Sequence, residues 1–351
     1  MTDPGTAMGN WREQQRRRDR PRRDVVLGLP ALPVRHHGVI SGPDGDVRLC
    51  ASPGPAGEVV AVWTAPGDLD AATAVTVSPG GASFPDPGAA RPVAARITVH
   101  APGLVAVTRI AELALAHITV QPMPGGRFLV AGARCRWRPG GPDPNAILYD
   151  AAGQAVSAHV LGDGIAQLQA TSTGHLWAGY FDEGIYGNYG WGRDGTPPPV
   201  GAPGIVRFSP ALEPAWHYPR YTGTGPCEAV SDCSALNAGD AATWACYDPG
   251  YPVVRIRDGT VTGWHNEAGG ACALAAAGSR VALSGGYGPD YDRLALTELG
   301  DGIARLAREY RVVVPDGQPL PPGAQVTGRG PLLHFLTGTD WYQLDIDGIP
   351  G

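Results

Sequence analysis

Apolar residues along this chain fall in short runs, and the runs come in pairs across small glycine-bearing turns. The pattern appears at 47–63 (VRLCASPGPAGEVVAVW), 117–133 (HITVQPMPGGRFLVAGA) and 165–181 (IAQLQATSTGHLWAGYF). It returns at 230–248, 271–287 and 324–338. Runs of this kind, bounded by Gly, Pro and Asp, read as β-strands. A second unit, a hairpin with a short polar turn, lies between these junctions at 95–109, 146–160, 204–218, 253–265 and 294–306, and a last copy begins at 341–348. Asp150, Gly153, Asp258, Gly259, Gly300, Asp301 and Gly302 supply the left-handed or side-chain-bonded conformations that tight hairpins need. Helical periodicity is nearly lacking; Ile303–Val313 has some, but it stands where a strand is due.

The repeat predicts four-stranded sheets, with second strands beginning near residues 59, 128, 176, 243, 281 and 332. Spacings of about 40–70 residues are those of propeller blades with insertions. The last copy has only two strands of its own. The segments near Val25–Leu29 and Asp46–Ala51 are left over, and they are expected to close the ring. On these repeats the chain resembles the six-bladed β-propeller superfamily: an all-β, six-bladed β-propeller closed by N-terminal strands. The resemblance is one of architecture, for WD-repeat and sialidase signatures do not occur. A pair of stacked β-sandwiches is the rival fold, and it accounts poorly for the incomplete last copy.

Composition fits many turns. The 351 residues include 51 Gly and 35 Pro without a collagen period. Every basic side chain is Arg, and the abundance of Ala, Gly, Pro, Val and Arg points to a GC-rich, bacterial genome. Residues 1–24 carry seven Arg against four acids, which leaves 20 Arg and 29 acids in the remainder, a net charge of −9. That head is expected to be a disordered Arg-rich tail, with residues 25–351 a single propeller domain. An Arg run can bind nucleic acid or anionic lipid, but a solvated tail is the simpler reading, and nucleic acid is not an expected partner. No apolar run is long enough to span a bilayer. The six Cys form no CxxC pair and are read as small buried side chains in a reducing compartment. A cytoplasmic monomer is expected.

Candidate chemistry concentrates in His175–Gly192 (HLWAGYFDEGIYGNYGWG), where a strand breaks into a loop rich in acids and aromatics. Placing the strand after each junction next to the channel puts five loops on one face. The acids there are Asp182, Glu183, Asp248, Asp290, Asp292 and Asp340, with Asp143 nearby. The site is expected around Tyr180, Asp182, Glu183, Asn188, Tyr247 and Asp248, with 184–203 as a packed lid and Asp182 pointing inward. Such a face suits a sugar, a cationic group, a protein partner or a hard metal such as Ca²⁺. The simpler reading has Tyr capping the channel and Asp satisfying turn N–H groups. The insertion 66–92 is read as a floppy surface loop.

Six-bladed lactonase-like enzymes bind Ca²⁺ through channel Asp, Asn and Glu, and Asp232 with Asn237 resembles part of that set. Asp232 is expected in an outer strand, and one site is not expected to hold both Asp182 and Asn237. No nucleophile elbow, P-loop or HExxH occurs. The sequence therefore favours a non-enzymatic ligand- or protein-binding module or scaffold. The alternative is a metal-dependent, lactonase-like hydrolase acting at the channel.

Overall fold

The computed structural model describes residues 19–43, 45–220, 226–286 and 288–350. Antiparallel sheets of four strands follow one another along the chain in a propeller-like arrangement. The first runs Val47–Pro53, Val59–Thr64, Gly88–His100 and Leu104–Leu115; the second runs Ile118–Met123, Arg127–Gly132, Ala146–Tyr149 and Ala155–His159. The third is Ile165–Ala170, Leu176–Tyr180, Ile205–Phe208 and Pro214–His217. A larger sheet of nine strands contains two further antiparallel runs of four. They are Asp232–Ala238 to Thr260–Asn266, here the fourth sheet, and Ala273–Ala277 to Ile303–Val313, the fifth. The two runs join where His265 and Asn266 pair in parallel with Ile303 and Ala304. Ala31–Pro33 is the ninth strand, parallel to Arg311–Val313. The last sheet takes Gln325–Arg329, Leu332–Thr337 and Asp340–Asp345 from the C-terminal end, and its outer strand, Arg35–Val39, from near the N-terminus.

The opening strands of these sheets are bonded to one another by polar side chains. Ser52 Oγ meets Thr119 Oγ1 at 3.4 Å, and Ala170 N donates to Gln121 Oε1 at 2.9 Å. Gln167 and Gln169 donate to Ser234 O and Leu236 O, and Asn237 donates to Leu274 O. Ala276 N donates to Gly330 O, and Gln325 Nε2 donates to Ala51 O, which returns the circuit to the first sheet. Between neighbouring sheets the core is apolar, with Val60, Val62, Ile97, Leu129, Val130 and Ala178 fully buried.

The expected order is displaced by one strand. A turn of a few residues joins antiparallel neighbours of one sheet, so each junction lies inside a sheet rather than between two. The innermost strand is the one before the junction, not the one after it. The seam changes accordingly. One N-terminal strand completes the last sheet, while Val47–Pro53 opens the first. Residues 19–27 are helical instead of a strand, so the head expected to be disordered through residue 24 is ordered from 19, and residues 1–18 lie outside the described residues. Arg23 anchors this helix through a two-pronged ion pair with fully buried Asp292.

The insertion 66–92 is not floppy. It holds a helix, Leu69–Ala72, whose Ala71 and Ala72 are buried, and a hairpin of Val75–Val77 with Ser83–Pro85. Ile303–Val313, with its partial helical period, is the fourth strand of its sheet.

Candidate ligand-binding face

Tyr180 ends the second strand of the third sheet, and its hydroxyl donates to Leu161 O; the residue is fully buried, and burial pushes its hydroxyl far up. Tyr247, in the matching place of the fourth sheet, is also fully buried. Its hydroxyl donates to Glu228 O at 3.1 Å and lies 2.8 Å from the Tyr218 hydroxyl. Both phenols are buried and bonded within the protein.

Asp182 is exposed at the start of the short helix Asp182–Tyr186, where its Oδ1 accepts the Glu183 N–H at 2.7 Å. Glu183 turns away from it and pairs with buried Arg134, which also holds fully buried Asp163 in two bonds of 3.0 and 2.9 Å. Burial works to raise the Glu183 carboxyl, but Arg134 and Asn188 outweigh it and leave it below its usual range. For Asp163 burial wins over Arg134 and the carboxyl is raised. Asn188 closes its own turn, with Oδ1 accepting the Tyr189 N–H. Arg134 lies over the rings of Phe181 and Tyr189, 5.2 and 4.5 Å from their centroids.

The 184–203 loop thereby packs outward. Trp191, 4% exposed, donates to Cys135 O, Tyr189 donates to Pro85 O, and Trp191 meets Trp137 edge-on. It is a clasp over the first three sheets, not a lid over the channel.

What does converge is a trio that sequence reasoning split. Asp232 opens the innermost strand of the fourth sheet and pairs in register with Asp248 of the next strand. Burial raises the Asp232 carboxyl first, and the charges of Asp182 and Asp248 raise it further. Asp232 was missed as a partner of Asp182 because of the one-strand displacement. Asn237 stands at the far end of the same strand, away from Asp182 as expected, and its amide donates to Leu274 O and Gly330 O. Beside the trio, the Tyr186 ring is 67% exposed and its hydroxyl lies 2.9 Å from Ser231 Oγ.

Three of the other acids expected on this face are paired elsewhere. Asp292 is taken by Arg23, Asp340 by His36 and Asp143 by Arg138. Among the described residues, no group of three or more His, Cys, Asp or Glu is placed to hold a metal ion.

The axis is closed by a polar hub that the sequence reading did not pick out. Arg329, at the end of the last sheet's opening strand, donates to Pro53 O at 3.0 and 2.9 Å. It also donates to Ala170 O, Ala238 O and Gln121 Oε1 at 2.8, 3.3 and 2.8 Å. Gln169 reaches across the ring to Gly328 O as well. The recurrence of Gln121, Gln169, Asn237 and Arg329 near the ends of otherwise apolar opening strands was the signal available.

No protein-family model matches this chain, and no curated protein is similar to it. Similarity to solved structures is one of fold. An inactive variant of virginiamycin B lyase from Staphylococcus aureus is 12% identical with a TM-score of 0.38, covering 88% of this chain and 97% of that one. An oxidoreductase described as glucose dehydrogenase, from Thermus thermophilus, is 14% identical with a TM-score of 0.39, covering 81% and 100%. The extracellular domain of a one-component system from B. thetaiotaomicron is 9% identical with a TM-score of 0.40; it matches 92% of this chain, which spans 42% of that one. The cytoplasmic placement expected from the sequence is not carried forward. It rested in part on the cysteines, and four of the six are buried free thiols that report packing, not compartment.

Proposed function

We propose that this chain is a six-bladed propeller acting as a non-enzymatic binding module, and that it takes a positively charged group at the mouth formed by Asp182, Asp232 and Asp248. Counting the nine-stranded sheet as two blades gives the six. The observation that carries the ligand class is the exposed Tyr186 ring beside three carboxylates. A cation gains from both the ring quadrupole and the acids. The raised Asp232 carboxyl supports the same reading, because an arriving cation would relieve its repulsion. The metal-dependent hydrolase is the weaker reading: the buried Arg329 guanidinium at the axis opposes a divalent cation in the channel.

Calorimetry with a tri-arginine peptide and with choline at low salt tests this. Saturable binding that weakens with salt is expected, and Asp232→Asn should reduce affinity about tenfold, equivalent to about 1.4 kcal/mol. If neither probe binds, the reading fails.

A further inference from the structure

The opposite face carries a separate feature. Between the third and fourth sheets, at their hairpin-turn ends, lies a cleft of about 160 Å³. Thr243 lines it at 1% exposure, yet its hydroxyl has no partner. Arg207 lines it too, lying 5.8 Å from the centroid of the Trp177 ring, and its buried Nε–H also lacks an acceptor. Asp240 closes the far side, held by the hydroxyls of Ser172 and Thr173, whose bonds keep its carboxyl below the usual range.

A second cleft of about 270 Å³ adjoins the first, sharing Asp240 and Thr171. His334 lines it and is fully buried. Trp341 donates to His334 Nδ1 at 3.1 Å, so the neutral ring carries its proton on Nε2, and that N–H has no acceptor. Residues bearing three buried polar atoms without partners therefore line two neighbouring clefts that share Thr171, Gly239 and Asp240. Buried polar groups are normally bonded, and a ligand that bonds them is one way these exceptions are resolved.

The walls select the chemistry. An anion would meet the carboxylates of Asp240 and Asp258. A cation would meet Arg207. A neutral ligand whose groups both donate and accept suits both walls, and hydroxyls do this. Neither cleft alone reaches the roughly 300–1,000 Å³ typical of a small-molecule site, but a ligand that spanned both past Asp240 would occupy that much. We propose that this face binds a neutral saccharide of at least two rings, with one ring on Arg207, Thr243 and Asp240 and the next toward His334.

Tryptophan fluorescence and calorimetry with maltose, cellobiose and lactose, beside glucose, galactose and inorganic phosphate, test the proposal. At least one disaccharide is expected to bind saturably and more tightly than the monosaccharides. Thr243→Val should weaken it about tenfold while the unliganded melting temperature holds or rises, since the variant removes an unpaired buried hydroxyl. Asp240→Asn, on an exposed loop, should weaken it as well. The acidic-mouth variant Asp232→Asn should leave sugar affinity unchanged, which separates this site from the cation site. Failure of all three disaccharides, binding of phosphate in their place, or unaltered affinity in Thr243→Val would overturn it.

Discussion

Arg329 donates every one of its five N–H groups to an oxygen, and none of those oxygens is a carboxylate. Burial lowers its pKa to about 10, partly offset by the more distant Glu58, so the side chain stays charged at neutral pH. Its value lies in geometry: a planar fork reaches carbonyls of the first, third and fourth sheets and the Gln121 side chain of the second. Lys, with three donors on a flexible stem, cannot reproduce that fork. Gly328 next to it shows how tight the axis is, for a Cβ there would fall 1.7 Å from Leu274 O. Each buried acceptor left without a donor costs about 1–3 kcal/mol. Arg329→Met should therefore lose at least about 3 kcal/mol in urea denaturation, with Arg329→Lys intermediate. A loss below about 1 kcal/mol would show that the ring holds without its hub. None of this was legible residue by residue. A lone polar side chain in an apolar strand looks like a surface position until the ring brings the others around it.

At the scale of elements, turn chemistry was the most readable signal. Second strands expected near 59, 128, 176, 243, 281 and 332 begin at 59, 127, 176, 243, 280 and 332. What the pattern could not give was which strand of each pair stands innermost, because both are buried on two faces and both read as apolar runs. From that single displacement came the misplacement of Asp232 and the extra strand assigned to the seam. Trp216 and Trp264, at corresponding places in the hairpins of the third and fourth sheets, are parts of cross-strand ladders. Arg207 pairs with Trp177 and Trp216, and Arg255 lies over Trp244 and Trp264, so each ladder packs a guanidinium against its indoles. The seam itself hangs on Arg35–Val39, which pairs with Asp340–Asp345. A chain lacking residues 1–39 would expose that strand as an open edge, and open edges recruit other chains. Light scattering should show concentration-dependent association of the truncated protein, with a lower melting temperature. A truncated chain that stays monodisperse and melts as the full chain does would mean that this strand does not secure the ring.

For the whole molecule, burial leaves a pH dependence whose sign follows from its histidines. Burial is the leading cause that lowers His334, to about 3, with Arg329 and His37 adding to it. His37, His100 and His159 are lowered as well, again chiefly by burial. A histidine with a depressed folded pKa stays neutral in the fold while the unfolded chain takes up its proton below about 6.5. The unfolded state then binds more protons, so stability falls as pH drops, from about 6.5 down to about 3 for His334. At pH 5 that one residue should have cost about 2 kcal/mol relative to neutral pH. Asp232 works in the other direction. Its folded carboxyl is raised, so it favours the fold at low pH and loses that contribution as pH rises through its folded value. Asp232→Asn should accordingly raise the melting temperature at neutral pH even as it weakens cation binding, the exchange expected where charge is held for a ligand. Urea titrations from pH 7 to pH 5 separate the two groups. His334→Gln should flatten the acid-side loss by about 2 kcal/mol, whereas Asp232→Asn should leave that limb in place. An unchanged slope in His334→Gln would mean that the buried imidazole is protonated in the folded state, and with both ring nitrogens then donors, Trp341 would have lost the acceptor it now uses.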